Sequence, residues 1–245
     1  MATVAPSGLD RSARERRFYT RMALFLAALV FVGFAPSFYL RGIVPSPRPN
    51  PTLPPLVMLH GLVFTAWMLL LIAQTQLVAA GRRDLHMKLG GAGMLLGLAM
   101  IPLMYAIAVG EVARANQPPF TDPLGWTIVP LSVIPVFALL LWIGWSRRRD
   151  PQWHKRAMLG AAILMMGPAT GRLPIGPPIL PVFAVQMGLA IACFVPLMIW
   201  DRRTLGELHP VTKLGFGLAT AAVLLDVVTL ATGSWAPIAA YLPGV

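Results

Sequence analysis

Residues 81–93, GRRDLHMKLGGAG, recur in close variants as SRRRDPQWHKRAMLGAA over residues 146–162 and DRRTLGELHPVTKLGFG over residues 201–217. Each copy ends an apolar run, sets down arginines, then an acid, a histidine, a lysine and a Leu-Gly pair, and opens a new apolar run. That order describes a helix-hinge-helix unit. The acid sits where the next helix presents its positive N-terminal end, and the Leu-Gly pair permits close helix packing. Three such units predict an all-α chain in which one helix is followed by three hinged pairs.

The runs between the hinges set the environment. Of 245 residues, 57% are hydrophobic and 12% charged, with a mean hydropathy of +0.70. Soluble domains carry roughly a quarter charged residues, so this composition predicts a membrane protein. The one cysteine, Cys193, lies in an apolar run and provides neither a disulfide framework nor a thiolate metal site. A net charge of +11 suits a nucleic-acid binder in principle. Here the basic residues fall in short clusters between apolar runs, where they act as topology signals, and nucleic acid is not expected as a partner.

A helix needs about 20 apolar residues to cross a bilayer. Seven transmembrane helices are expected, over residues 19–40, 55–80, 88–110, 126–145, 156–171, 179–200 and 212–232. The fifth is short and interrupted by Gly167-Pro168. Residues 1–18 form a polar, basic cytoplasmic tail without a signal-peptide cleavage pattern, and residues 19–245 form a single transmembrane domain. With the N-terminus inside, only Arg41, Arg48, Arg114 and Arg172 of the 20 lysines and arginines face outward. That bias places the C-terminus in the periplasm and the protein in a bacterial inner (cytoplasmic) membrane. Trp126, Trp145, Trp153, Trp200 and Trp235 fall near span ends, as an aromatic belt requires. Proline-rich outer loops at residues 41–54, 111–125 and 173–178 leave no room for a folded outer domain.

This topology sorts the four histidines. His86, His154 and His209 fall just before helices three, five and seven at the cytoplasmic boundary. Converging on one layer, three imidazoles suffice for a metal ion, and two facing imidazoles hold a haem b iron. Asp84, Asp150 and Glu207 lie nearby as orienting acceptors. The neighbouring arginines and lysines repel a bare cation but suit haem propionates. The same residues equally satisfy helix ends and meet anionic head groups. In the outer half, His60, Arg172 and Asp226 are expected to form a buried polar cluster, because an ionisable group at that depth needs a partner or water. Gln74, Thr75 and Gln76 in helix two suit bonds across helices.

The segments LVMLHGLVFTAWMLLLIAQTQLVAAGRRDLHMKLG, HKRAMLGAAILMMGPATGRLP and DRRTLGELHPVTKLG resemble a family of uncharacterised multi-spanning bacterial membrane proteins, over most of the chain and in the same order. The resemblance implies signature positions at His60, His86, His154, Arg172 and His209. Met87 stands where the pattern has arginine, and Asp226 has no place in it. It carries no chemistry with it.

Two classes of function follow. One is a non-catalytic accessory subunit packed against a larger respiratory or photosynthetic membrane complex, with membrane lipids and other membrane subunits as partners. The other is a haem b-binding electron-transfer protein, with a tri-histidine metal-dependent membrane enzyme as a variant. A transporter is disfavoured by the lack of an inverted repeat.

Overall fold

A computed structural model of the chain describes residues 8–46 and 50–245, with side chains from Ser12 onward. Residues 1–7 of the expected tail, the Arg11 side chain and Arg48 of the first outer loop lie outside the described residues. From Gly8 the tail is already helical and continuous with the first apolar run: α1 spans Gly8–Phe34 and widens into a π-helical turn at Ala35–Tyr39. There follow α2 (Pro55–Ala79), α3 (Arg83–Gly110), the short α4 (Pro123–Trp126) leading into α5 (Ile128–Ser146), and α6 (Pro151–Leu164) with the short α7 (Gly167–Thr170). Then come α8 (Leu180–Ala192) and α9 (Val195–Leu205), α10 (Pro210–Thr232) and the short α11 (Ala236–Ala239).

Local chemistry sets these boundaries. Proline occupies one of the first two positions of α2, α4, α6, α8, α9 and α10, where its missing N–H has no intrahelical partner to lose. Two hinges stop their helices on glycine in the left-handed region, Gly81 at φ 75° and Gly206 at φ 81°. The middle hinge has no such glycine. There Asp150 starts the next helix instead, its carboxylate accepting the N–H groups of Gln152 and Trp153, which satisfies two orphan donors.

Among the described residues six helices are long and apolar enough to cross a membrane, with α4–α5 and α8–α9 each counted as one. The span expected over residues 156–171 is not among them. It is α6, 14 residues long, followed by a turn through Met165 and Met166 and then the four residues of α7. Pro168 is the cause: it has no N–H to offer Leu164, and its ring crowds that carbonyl.

Yet this broken segment is the centre of the bundle. α1, α5, α8 and α10 pack around α6, while α2 and α3 complete the circuit from α1 to α5. Ala157, Leu159, Ala161, Ala162, Ile163, Met166, Ala169 and Thr170 are all buried. Irregular backbone is tolerated at membrane depth where protein covers it. The outward faces of the surrounding helices are apolar and open, with Leu95, Leu98, Val185, Leu224 and Val228 each more than half exposed. Lys155 meets Glu15 early in α1, and Ala169 meets Gly33 near its end, so α6 and α7 run alongside α1 in the same direction.

The two ends of the bundle differ in kind. Glu15, His86, His154, Lys155, Asp201 and His209 gather at the arginine-rich end. At the other end, side chains tie the loops together: Arg114 donates to the Thr52 carbonyl (2.6 Å), Trp235 Nε1 to Thr127 Oγ1 (2.8 Å) and Tyr105 to the Pro243 carbonyl (2.9 Å).

The tightest helix approach gives a test. A Cβ on Gly33 would stand 2.4 Å from the Ala169 carbonyl oxygen and 2.8 Å from its Cα, and backbone cannot rotate aside as a side chain can. Gly33→Leu is expected to cost about 1–3 kcal/mol and to lower the thermal unfolding midpoint in detergent. Gly91→Ala, whose Cβ meets nothing within 4 Å, is expected not to lower it.

Candidate functional site

The polar residues at the arginine-rich end fall into two groups. The first is built on Arg156, one turn into α6, and Asp201 in α9, both with side chains 0% exposed. Arg156 Nε donates to Asp201 Oδ1 at 2.7 Å, and Nη2 lies 2.7 Å from the same oxygen. Nη1 donates to the carbonyl and side-chain oxygens of Gln152, one turn back on α6. Asp201 Oδ2 accepts the backbone N–H of His209 at 3.1 Å. The charges are thus paired, and Arg156 Nε and Nη1 and both Asp201 oxygens have hydrogen-bond partners, while Nη2 meets Asp201 as an ion-pair contact only. α1 joins through Glu15 and Lys155 (2.6 Å) and through Phe18, which stacks on Trp200 at 4.6 Å.

The second group is His86 of α3 and His154 of α6, with ring centroids 6.1 Å apart and planes at 86°. Their neighbours fix their tautomers. His154 Nδ1 lies 2.8 Å from the Gly144 carbonyl, which only accepts, so Nδ1 carries the hydrogen and Nε2 the lone pair. For His86 the order is reversed. The Gln74 amide of α2, oriented so that both its ends are satisfied, donates to His86 Nδ1 (2.5 Å) and to the His86 carbonyl (3.2 Å), and accepts from Gly90 N (3.1 Å). His86 Nδ1 therefore accepts, and its hydrogen resides on Nε2. The pair thus consists of opposite tautomers, one ready to accept and one ready to donate. Coordination of an iron by both imidazoles requires His86 to give up the Gln74 bond or change tautomer.

His209 does not join them. Its ring stands edge-on to Trp153 at 5.2 Å, and its Nδ1 accepts the Val211 N–H at 3.3 Å, capping α10. The sequence allows the three histidines to converge in one layer; in the structure His86 and His154 form a pair and His209 caps α10. Among the described residues, no group of three or more His, Cys, Asp or Glu is placed to hold a metal ion. The neighbouring acids are engaged as well: Asp84 pairs with Arg82, Asp150 caps α6, and Glu207 faces Lys213 at 3.9 Å.

Of the outer residues His60, Arg172 and Asp226, the first two are near each other. Arg172 lies 4.1 Å over the Phe34 ring and donates to the Pro168 carbonyl at 2.6 Å, and its charge acts on His60. His60 packs on Phe64 at 4.0 Å. Asp226, 2% exposed, lies beside Ser132 of α5.

The residues that sequence reasoning missed are Arg156 and Asp201 as a pair. Each stands next to other basic residues and resembles a topology signal. Helical phase carried the clue: Arg156 shares a face with Gly160 and Ile163, and Asp201 with Leu197 and Phe194, all buried. No family model, curated protein or solved structure matches the chain.

Two outcomes follow from this geometry. Arg156→Met or Asp201→Leu alone strands a buried charge and is expected to cost about 3–5 kcal/mol, read as a large drop in the unfolding midpoint in detergent. The double variant is expected to recover most of that loss. Burial, then the charge of Arg156, holds His209 below the ordinary histidine value. A depressed histidine contributes stability above its unfolded pKa and loses it as pH falls below about 6.5 toward the folded value. The midpoint is expected to fall with acidification over that window, and His209→Asn, which keeps a capping acceptor, is expected to flatten the dependence.

Proposed function

We propose that this chain is a non-catalytic subunit of a larger assembly in a bacterial inner membrane, and that it crosses that membrane seven times with α6–α7 as the enclosed crossing. The N-terminus is then cytoplasmic and the C-terminus periplasmic, as the arginine distribution requires. This reading also accommodates the likeness to multi-spanning bacterial membrane proteins.

The observation that carries it is on the outward faces of α8 and α10. Gly188 and Ala192, and Gly217 and Ala221, are exposed small residues four apart, and a Cβ on either glycine meets nothing within 4 Å. Small residues spaced this way allow a second helix to approach closely, which is how membrane helices associate without a hydrophobic driving force. α8 and α10 are neighbours, so the two pairs lie on adjacent helices. Meanwhile the buried ions of the arginine-rich end are spent on tying α1, α6, α9 and α10 together. The expected result is that mild-detergent extracts from the native membrane hold the chain in a complex above its own mass. Gly188→Leu/Gly217→Leu should release it as a folded single chain. Recovery of the wild type as a lone chain in such extracts counts against the reading.

A second reading, electron transfer through haem b, is favoured by one observation: His86 and His154 present two imidazoles from separate helices 6.1 Å apart. The reduced-minus-oxidised visible spectrum of the purified protein separates the two. The subunit reading expects no haem band, whereas a stoichiometric band lost in His86→Ala and His154→Ala would establish the second.

A further inference from the structure

We infer that the arginine-rich end of α9 carries a binding site for an anionic phospholipid of the surrounding leaflet. The inference rests on membrane insertion alone and is independent of the subunit reading. A groove of about 360 Å³ is lined by Val195, Met198, Ile199 and Leu208 together with Arg202 and Arg203. Val195, Ile199 and Arg202 or Arg203 recur at helical spacing on one outward face of α9. From Val195 to Arg202 the groove extends roughly 10 Å along the helix at 1.5 Å per residue. Its charged part lies at the end of the apolar span and its apolar part within the span, the order in which a phospholipid presents phosphate and acyl chain.

Among the described residues the charge is uncompensated. Among the described residues Arg202 and Arg203 take part in no ion pair; the acid next to them, Asp201, points inward to Arg156, and Glu207 faces Lys213. Arginines in a last turn also complement the negative end of a helix. That accounts for their position, but not for the apolar groove continuous with them. A phosphodiester accepts from guanidinium groups with charge assistance, and basic pockets at the cytoplasmic ends of membrane helices select anionic head groups. Two guanidiniums favour a lipid of net negative charge over a zwitterionic one, because among the described residues the groove is lined by two cations and no carboxylate.

The test is native mass spectrometry of the intact chain released from micelles holding equal amounts of phosphatidylglycerol and phosphatidylcholine. The wild type is expected to retain phosphatidylglycerol. At about 1 kcal/mol per basic residue, Arg202→Gln/Arg203→Gln is expected to weaken that retention about thirtyfold. Ile199→Trp, which fills the groove and keeps both charges, is expected to weaken it as well. Arg83→Gln/Lys88→Gln, removing the same net charge from α3, is expected to leave it unchanged, with all variants eluting as the wild type does. Unaltered retention in Arg202→Gln/Arg203→Gln overturns the site. So does a loss there that Ile199→Trp does not share, or an equal loss in the α3 control, since either reduces the effect to diffuse surface charge.

Discussion

A guanidinium and a carboxylate with no exposed surface, 2.7 Å apart, constrain everything around them. Removing two ions from water costs several kcal/mol each, and the cost is recovered only when geometry and the remaining hydrogen bonds are close to ideal. Asp201 reaches that state because the His209 N–H takes its second oxygen, and Arg156 approaches it because Gln152 takes Nη1, leaving Nη2 with the ion-pair contact alone. These contacts require α6 and α9 to meet in one register and the last hinge to fold back over Asp201. We read the pair as the device that sets this register. The small residues Ala157, Gly160, Ala161 and Ala162 allow the neighbouring helices near enough for the pair to be sealed. Leu140 and Phe194 both come within van der Waals range of a Cβ placed on Gly160.

The histidines illustrate how one residue type at three similar hinge positions acquires different roles. His209 is a helix cap whose pKa burial and Arg156 hold below the ordinary histidine value. His154 is anchored by the Gly144 carbonyl and His86 by the Gln74 amide, and these anchors leave the two rings with complementary Nε2 atoms. The three sequence-similar hinges therefore differ in backbone as well as in side-chain roles. Where the repeat has Gly81 or Gly206, the helix ends by left-handed backbone; where it has Arg147, it does not.

Much of this was legible in the sequence because membrane burial writes itself in long runs. The helices over residues 55–79, 83–110 and 210–232 follow from apolar length and from proline, glycine and acid at their ends. The break at Gly167-Pro168 was also visible, but not its consequence, since enclosure by other helices is a tertiary property. The pairing of Arg156 with Asp201 crosses 45 residues, and both residues are hidden among arginines that look alike until helical phase is considered. The division of the histidines was illegible for a similar reason: whether residues before α3, α6 and α10 meet depends on which helices are neighbours. Likewise the neighbour of Asp226 on α5, Ser132, depends on α10 packing on α5 and is not legible in the sequence.

The central claim is that a broken helix lies enclosed in protein, held there by a buried ion pair, while its neighbours face lipid. The most direct measurement is photolabelling of the membrane-embedded protein with a carbene-generating reagent dissolved in the acyl phase, read out by peptide mass spectrometry. The account predicts strong labelling around Leu95, Leu98, Val185, Leu224 and Val228, with residues 159–164 unlabelled until Arg156→Met loosens the bundle. Labelling of residues 159–164 in the wild-type protein at the level of α3 or α10 would contradict it.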